Sequence, residues 1–162
     1  MSRTFLIAFG GGLLCIAIAV AAVFYVQRGA HIELPGKVLK VRTAPLDENS
    51  SVAVADFRIT NPSDYPWEVR TVTLVLEDPS GAQAEGQTIS EQDARHVFQG
   101  VPLLGEKYNE TLMMRDRIAP HTTVDKMVAA RFELPEAKLE SRKRLIVRIE
   151  EIDGKIAELP DR

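Results

Sequence analysis

Residues 51–60, SVAVADFRIT, decide the fold. Ala53, Ala55, Phe57 and Ile59 alternate with Asp56, Arg58 and Thr60. Period-two alternation over this length describes a strand with one face buried and one in water. The first set is therefore the expected core face. Directly after it comes Asn61-Pro62-Ser63-Asp64-Tyr65-Pro66, a dense cluster of turn residues. A second strand follows over Val69–Glu77, with Val72, Leu74 and Leu76 on one face. Asp78-Pro79-Ser80-Gly81 ends it.

Working outward, the same grammar repeats. Gly36–Thr43 reads as an earlier strand, closed by the loop Pro45-Leu46-Asp47-Glu48-Asn49-Ser50. Toward the C-terminus, Thr111–Ile118 is expected as a strand. Val124–Leu134 is another, with Val128, Ala130, Phe132 and Leu134 inward. Arg144–Ile152 follows with Leu145, Val147 and Ile149 inward. Asp153-Gly154 marks a hairpin and Lys155–Leu159 its return strand. One helix interrupts the pattern. Ser90 and Asp93 form a capping pair, Ala94, Val97 and Phe98 share a face over Glu91–Gln99, and Gly100 provides a stop. Residues 101–110, VPLLGEKYNE, read as a loop draped on the sandwich. Short, evenly spaced strands divided by turns predict an antiparallel β-sandwich over 37–160 with one short helix.

The N-terminal segment is different in kind. Residues 5–26, FLIAFGGGLLCIAIAVAAVFYV, hold no charge. At about 1.5 Å per residue such a run crosses the roughly 30 Å hydrocarbon core. Residues 1–28 are thus expected to be a short tail and a single-pass transmembrane helix, with 29–36 as a stalk. Ala19-Val20-Ala21 resembles a signal-peptidase site, but the apolar run continues to Val26 without a polar break, which favours a retained anchor. Leu14 before Cys15 is too bulky for lipoprotein processing. The Ala8-to-Gly12 spacing would allow close helix approach. Lys/Arg counts alone would leave the domain in the cytoplasm. Folded domains cross largely regardless of charge, and the extracytoplasmic, periplasmic side of an inner membrane is the expected location.

Composition excludes several functions. The chain of 162 residues has a net charge of −3, and all its acidic residues follow Arg28. A mildly acidic domain lacks the basic footprint of a nucleic-acid binder. Cys15 is the only cysteine, so the domain has no disulfide and no thiolate chemistry. His31, His96 and His121 show no metal-ligand spacing. No nucleophile elbow, phosphate loop or H-E-x-x-H motif is present. Asp47-Glu48-Asn49 does not match a calcium loop. Glu150 and Glu151 are adjacent on a strand and face opposite ways, so they cannot act as a paired acid and base. No catalytic residue, metal or cofactor is expected.

The aromatic residues are the features most open to a binding role. Tyr65-Pro66-Trp67 reads mainly as a packing corner. Leu103, Leu104 and Tyr108 would form an apolar patch if their loop is exposed, and they are the expected partner-binding residues.

Val54-Ala55-Asp56-Phe57-Arg58-Ile59-Thr60-Asn61-Pro62, with Tyr65 and Val69-Arg70-Thr71-Val72, resembles the strand–Asn-Pro–strand pattern of late-embryogenesis-abundant type 2 and related immunoglobulin-like domains. Ile118-Ala119-Pro120-His121-Thr122-Thr123-Val124, followed by Val128–Pro135, is similar to a pattern in bacterial anchored or secreted sandwich domains. There a Pro-Gly turn precedes the strand, and His121 stands at the glycine position. The resemblance implies an immunoglobulin-like, membrane-anchored, non-enzymatic protein of the cell envelope, and it transfers no site residues. Two functions are expected: a protein-interaction or accessory module, or a carrier of a small apolar ligand or lipid in a cavity of the sandwich.

Overall fold

Ser51–Asn61 (β2) forms the expected strand, but both of its faces are buried. Ala53, Ala55, Phe57 and Ile59 enter the main core, while Val52 and Val54 belong to a second apolar cluster on the opposite face. The sheet is therefore covered on both sides, and polar Asp56 is buried with it.

The computed structural model describes residues 11–22 and 34–161. The chain divides into two units, Met1–Glu33 and Leu34–Arg162. In the first, residues 11–22 are helical (α1). Among the described residues no helix is long and apolar enough to cross a membrane. The expected span over 5–26 extends at both ends outside the described residues, as do the stalk residues up to 33.

The second unit is mainly β, with two antiparallel sheets packed as a sandwich. Its other elements are β1 (Gly36–Pro45), β3 (Trp67–Glu77), β4 (Gln83–Glu85), β5 (Gln87–Thr88), α2 (Glu91–Gly100), β6 (Arg117–Ile118), β7 (Thr122–Phe132), α3 (Glu136–Glu140), β8 (Arg144–Glu151) and β9 (Ile156–Pro160). One sheet has the order β1-β2-β7-β5 and the other β4-β3-β8-β9, with β6 pairing β3. Phe57, Phe132, Trp67, Leu74, Leu145 and Ile149 fill the space between the sheets.

The Asn61-Pro62 turn has a specific physical basis. Asn61 is fully buried, and its side-chain amide donates to the carbonyls of Tyr65 at 2.8 Å and Ile118 at 2.9 Å. Its Oδ1 accepts the Ser63 amide at 3.0 Å. One side chain thus ties the end of β2 to the turn before β3 and to the end of β6, leaving no buried polar atom of its own unpaired. Trp67 is buried as a corner residue, whereas Tyr65 is exposed.

Three sequence expectations change. Residues 111–118 do not form a strand. Thr111 makes an isolated parallel bridge to Met127, and only Arg117–Ile118 pairs with β3. Between them Arg115 takes a left-handed φ of 70° and the Asp116 carboxylate accepts the Met113 amide, which closes a turn and breaks the extended chain. A second short helix, α3, occupies the region after Pro135, and β7 stops at Phe132 rather than Leu134. The short β4 and β5 arise from a segment whose polar residues give no alternation to read.

His121 adopts a left-handed φ of 53° at the turn into β7. That conformation disfavours a side chain with a Cβ and suits glycine. His121→Gly is expected to raise stability by about 1 kcal/mol in urea unfolding, even though the exposed contact between His121 and Asp64 is lost.

Candidate interaction surface

The segment from Ile89 to Asp116 is an insertion that links β5 to β6, and its part from Ile89 to Leu104 packs on the outer face of the first sheet. Its helix begins where Ser90 allows it to. The Ser90 hydroxyl accepts the Asp93 amide at 3.1 Å and donates to the Asp93 carboxylate at 2.7 Å. Glu91 and Asp93 place negative charge in the first turn, where the helix dipole favours it. Ala94 is buried, and Val97 and Phe98 pack beside it against Val52, Val54, Met127 and Ala129 of the sheet. Pro102 then starts a single 3₁₀ turn, Pro102–Leu104.

That turn separates the three residues expected to bind a partner. Leu104 is only 1% exposed and anchors the loop in the second cluster. Leu103 and Tyr108 are 76% and 67% exposed. Leu104 therefore belongs to the packing and not to an accessible patch. Consecutive residues of a helical turn point in different directions, so a Leu-Leu pair can place only one member inward at this position.

Arg42 and Asp56 hold the loop in place. They project from neighbouring strands, β1 and β2, and form a buried ion pair at 2.6 Å. The Arg42 guanidinium also donates to the carbonyls of Leu104 at 2.8 Å and Glu106 at 2.6 Å. The second Asp56 oxygen accepts from the Asn109 side chain at 2.9 Å. Phe98 and Tyr108 flank the guanidinium, with ring centroids 4.9 and 5.6 Å away. The attraction between a cation and an aromatic face is strongest where water is excluded. Sequence reasoning placed Asp56 on the solvent face of its strand and left Arg42 without an assigned face. Their charge in a sheet covered on both sides was the available signal.

A second polar cluster fixes the far end of the loop. Glu91 accepts the Thr111 amide at 3.0 Å and pairs with Lys107 at 2.9 Å and Arg95 at 3.0 Å. Burial works against its charge, but hydrogen bonding from Thr111, Lys107 and Arg95 outweighs it and holds the carboxyl at about 2. Lys107 also donates to the Asn109 carbonyl at 2.7 Å.

The remaining candidates do not converge. His31 lies outside the described residues. His96 is exposed on α2 and His121 sits in its turn beside Asp64. Asp116 uses its carboxylate within its own turn. Asp47 accepts the Asn49 amide in a loop. Glu150 faces Arg70 at the surface, while Glu151 is directed inward, where burial raises its pKa. Among the described residues no group of three or more His, Cys, Asp or Glu is placed to hold a metal ion.

No protein-family model matches the chain, and no curated protein matches it. One similar solved structure, an X-ray structure of the Northeast Structural Genomics Consortium target SoR45, shares 16% identity over 80% of each chain with a TM-score of 0.32. A likeness at that level carries no argument about function.

Two outcomes follow for stability. Arg42→Ala or Asp56→Ala leaves a buried charge unpaired and is expected to destabilise the sandwich by about 3–5 kcal/mol in chemical denaturation. Leu104→Ala should lower stability by about 2–5 kcal/mol, while Leu103→Ala changes it by less than about 0.5 kcal/mol. The pH dependence has a defined sign. Because the Glu91 pKa is depressed in the folded state, its contribution is present above about pH 4.5 and is lost as pH falls toward 2. Glu91→Gln should flatten the fall in stability across that window.

Proposed function

We propose that this chain is a non-catalytic, single-pass membrane protein of the bacterial cell envelope whose immunoglobulin-like sandwich is a protein-interaction or accessory module. The strand orders β1-β2-β7-β5 and β4-β3-β8-β9 correspond to the two sheets of an immunoglobulin-type sandwich, and this supports the finer fold assignment. The apolar run over 5–26 supports the anchor, and the periplasmic side of the inner membrane remains the preferred location.

The observation that carries the reading is the insertion. A loop of this length without regular structure would ordinarily be mobile. Here two charge clusters fix it at both ends, and it displays Leu103 and Tyr108 outward from a rigid base. Large exposed side chains on an ordered surface are a common basis for partner binding. Pairing along the outer strand β1 is a weaker route, because Lys37, Lys40 and the bulge at Leu39 blunt that edge. The carrier reading needs an open interior, whereas large side chains fill the space between the sheets. The groove beside Leu76, Ala84 and Leu134 has a volume of about 200 Å³, below the usual range for small-molecule sites.

The reading is tested by crosslinking intact cells of the native host and recovering the full-length protein. The expected result is a specific protein partner that is weakened in Leu103→Ala, with unchanged thermal stability, and lost in Leu103→Ala/Tyr108→Ala, which stays folded but gives up about 1 kcal/mol with the Tyr108–Arg42 contact. Recovery of co-purified lipid in place of a protein would overturn it.

A further inference from the structure

The exposed apolar side chains of the sandwich are unevenly distributed. Half of the large ones on residues 34–161 lie at one end: Tyr65, Met114, Ile152 and Ile156, exposed by 74%, 65%, 58% and 59%. Backbone hydrogen bonds tie them to one site. The Ile152 amide donates to the Glu68 carbonyl at 3.0 Å, and the Arg115 amide, next to Met114, donates to the Val69 carbonyl at 2.7 Å. The Tyr65 carbonyl accepts from Asn61. Ile156 pairs with Glu150 across the hairpin that carries Ile152.

This is also the end at which the polypeptide enters the sandwich. The Thr60 amide donates to the Pro35 carbonyl at 2.9 Å, one residue before Asn61. Residues 27–34 separate this point from the apolar run. Eight residues reach at most about 29 Å when fully extended. A strand of eleven residues, such as β2, is about 36 Å long. With the run over 5–26 in a bilayer as proposed above, a tether of that length would favour the end that carries Pro35, rather than the opposite end, nearer the bilayer surface.

We propose that this end rests on the lipid bilayer, with Tyr65, Met114, Ile152 and Ile156 in the interfacial layer. The inference depends on the membrane anchor proposed above. Tyrosine is favoured at that depth, and Lys37 and Arg115, exposed nearby, can direct their charges to lipid phosphates while their stems remain in the apolar zone. The contact is with the interface of a zwitterionic bilayer rather than with a strongly anionic one, since Asp64, Glu68 and Asp153 share this end with the basic residues. Resting on lipid would set the orientation of the α2 insertion relative to the membrane.

The test uses the full chain in phosphatidylcholine vesicles, with Cys15→Ser as background. Single cysteines are introduced by Ile152→Cys and, at the opposite end in the β3–β4 turn, by Ser80→Cys. Each carries an environment-sensitive fluorophore, and the vesicles are prepared with and without nitroxide-labelled lipid. The proposal expects a blue-shifted emission at position 152 that the nitroxide lipid largely removes, and an unshifted, unquenched emission at position 80. Flotation with the vesicles together with unquenched emission at 152 would overturn this inference alone; a blue shift without quenching would mean that a protein or a second copy covers the end. Failure to float would overturn the anchor and this inference together.

Discussion

The ion pair between Arg42 and Asp56 joins the parts of this domain that would otherwise be independent. Each residue comes from a strand of the first sheet, and each is also bonded to the insertion that covers that sheet. Neither charge could remain buried without the other. The guanidinium uses its planar, multi-donor shape, reaching a carboxylate and two loop carbonyls between two aromatic rings. A lysine has the charge but not that geometry. The insertion's path from Leu104 to Asn109 is set by these contacts, because loop carbonyls left buried without donors would be costly.

This constraint accounts for the second apolar cluster. Val52, Val54, Met127 and Ala129 face outward from the first sheet and would be an exposed patch in a two-layer sandwich. The α2 helix converts that face into a third layer, and Leu104 seals its margin. The side chains of α2 and the loop that remain outside, including Leu103 and Tyr108, are consequently held on a surface with little freedom. A preorganised surface loses less conformational entropy on binding than a mobile loop does. This links the packing to the proposed interaction role.

Much of the fold was legible because strand alternation is a strong signal. The inward sets of β2, β7 and β8 are those that periodicity selected, and the Ser90–Asp93 cap located α2. Reading failed where tertiary context overrides pattern. Alternation assigned Asp56 to water and gave Arg42 no face, but the insertion buries both. The extended look of 111–118 gave way to the Arg115 turn, whose left-handed residue is not a glycine and left no mark in the sequence. The candidate site was half legible. Residues 101–110 read as a loop draped on the sandwich, yet nothing local could say that Leu104 turns in while Leu103 turns out.

The central claim is that the insertion is a fixed platform and not a flexible loop. Native-state hydrogen exchange of the full-length protein measures this directly, at the Ala94, Val101, Leu104 and Thr111 amides, each of which is hydrogen-bonded. The account predicts that these amides are protected nearly as well as those of β2 and β7, and that Arg42→Met accelerates the insertion's exchange while leaving the β3–β8 pair slow. Rapid exchange throughout residues 94–111 of the unmodified protein would contradict it.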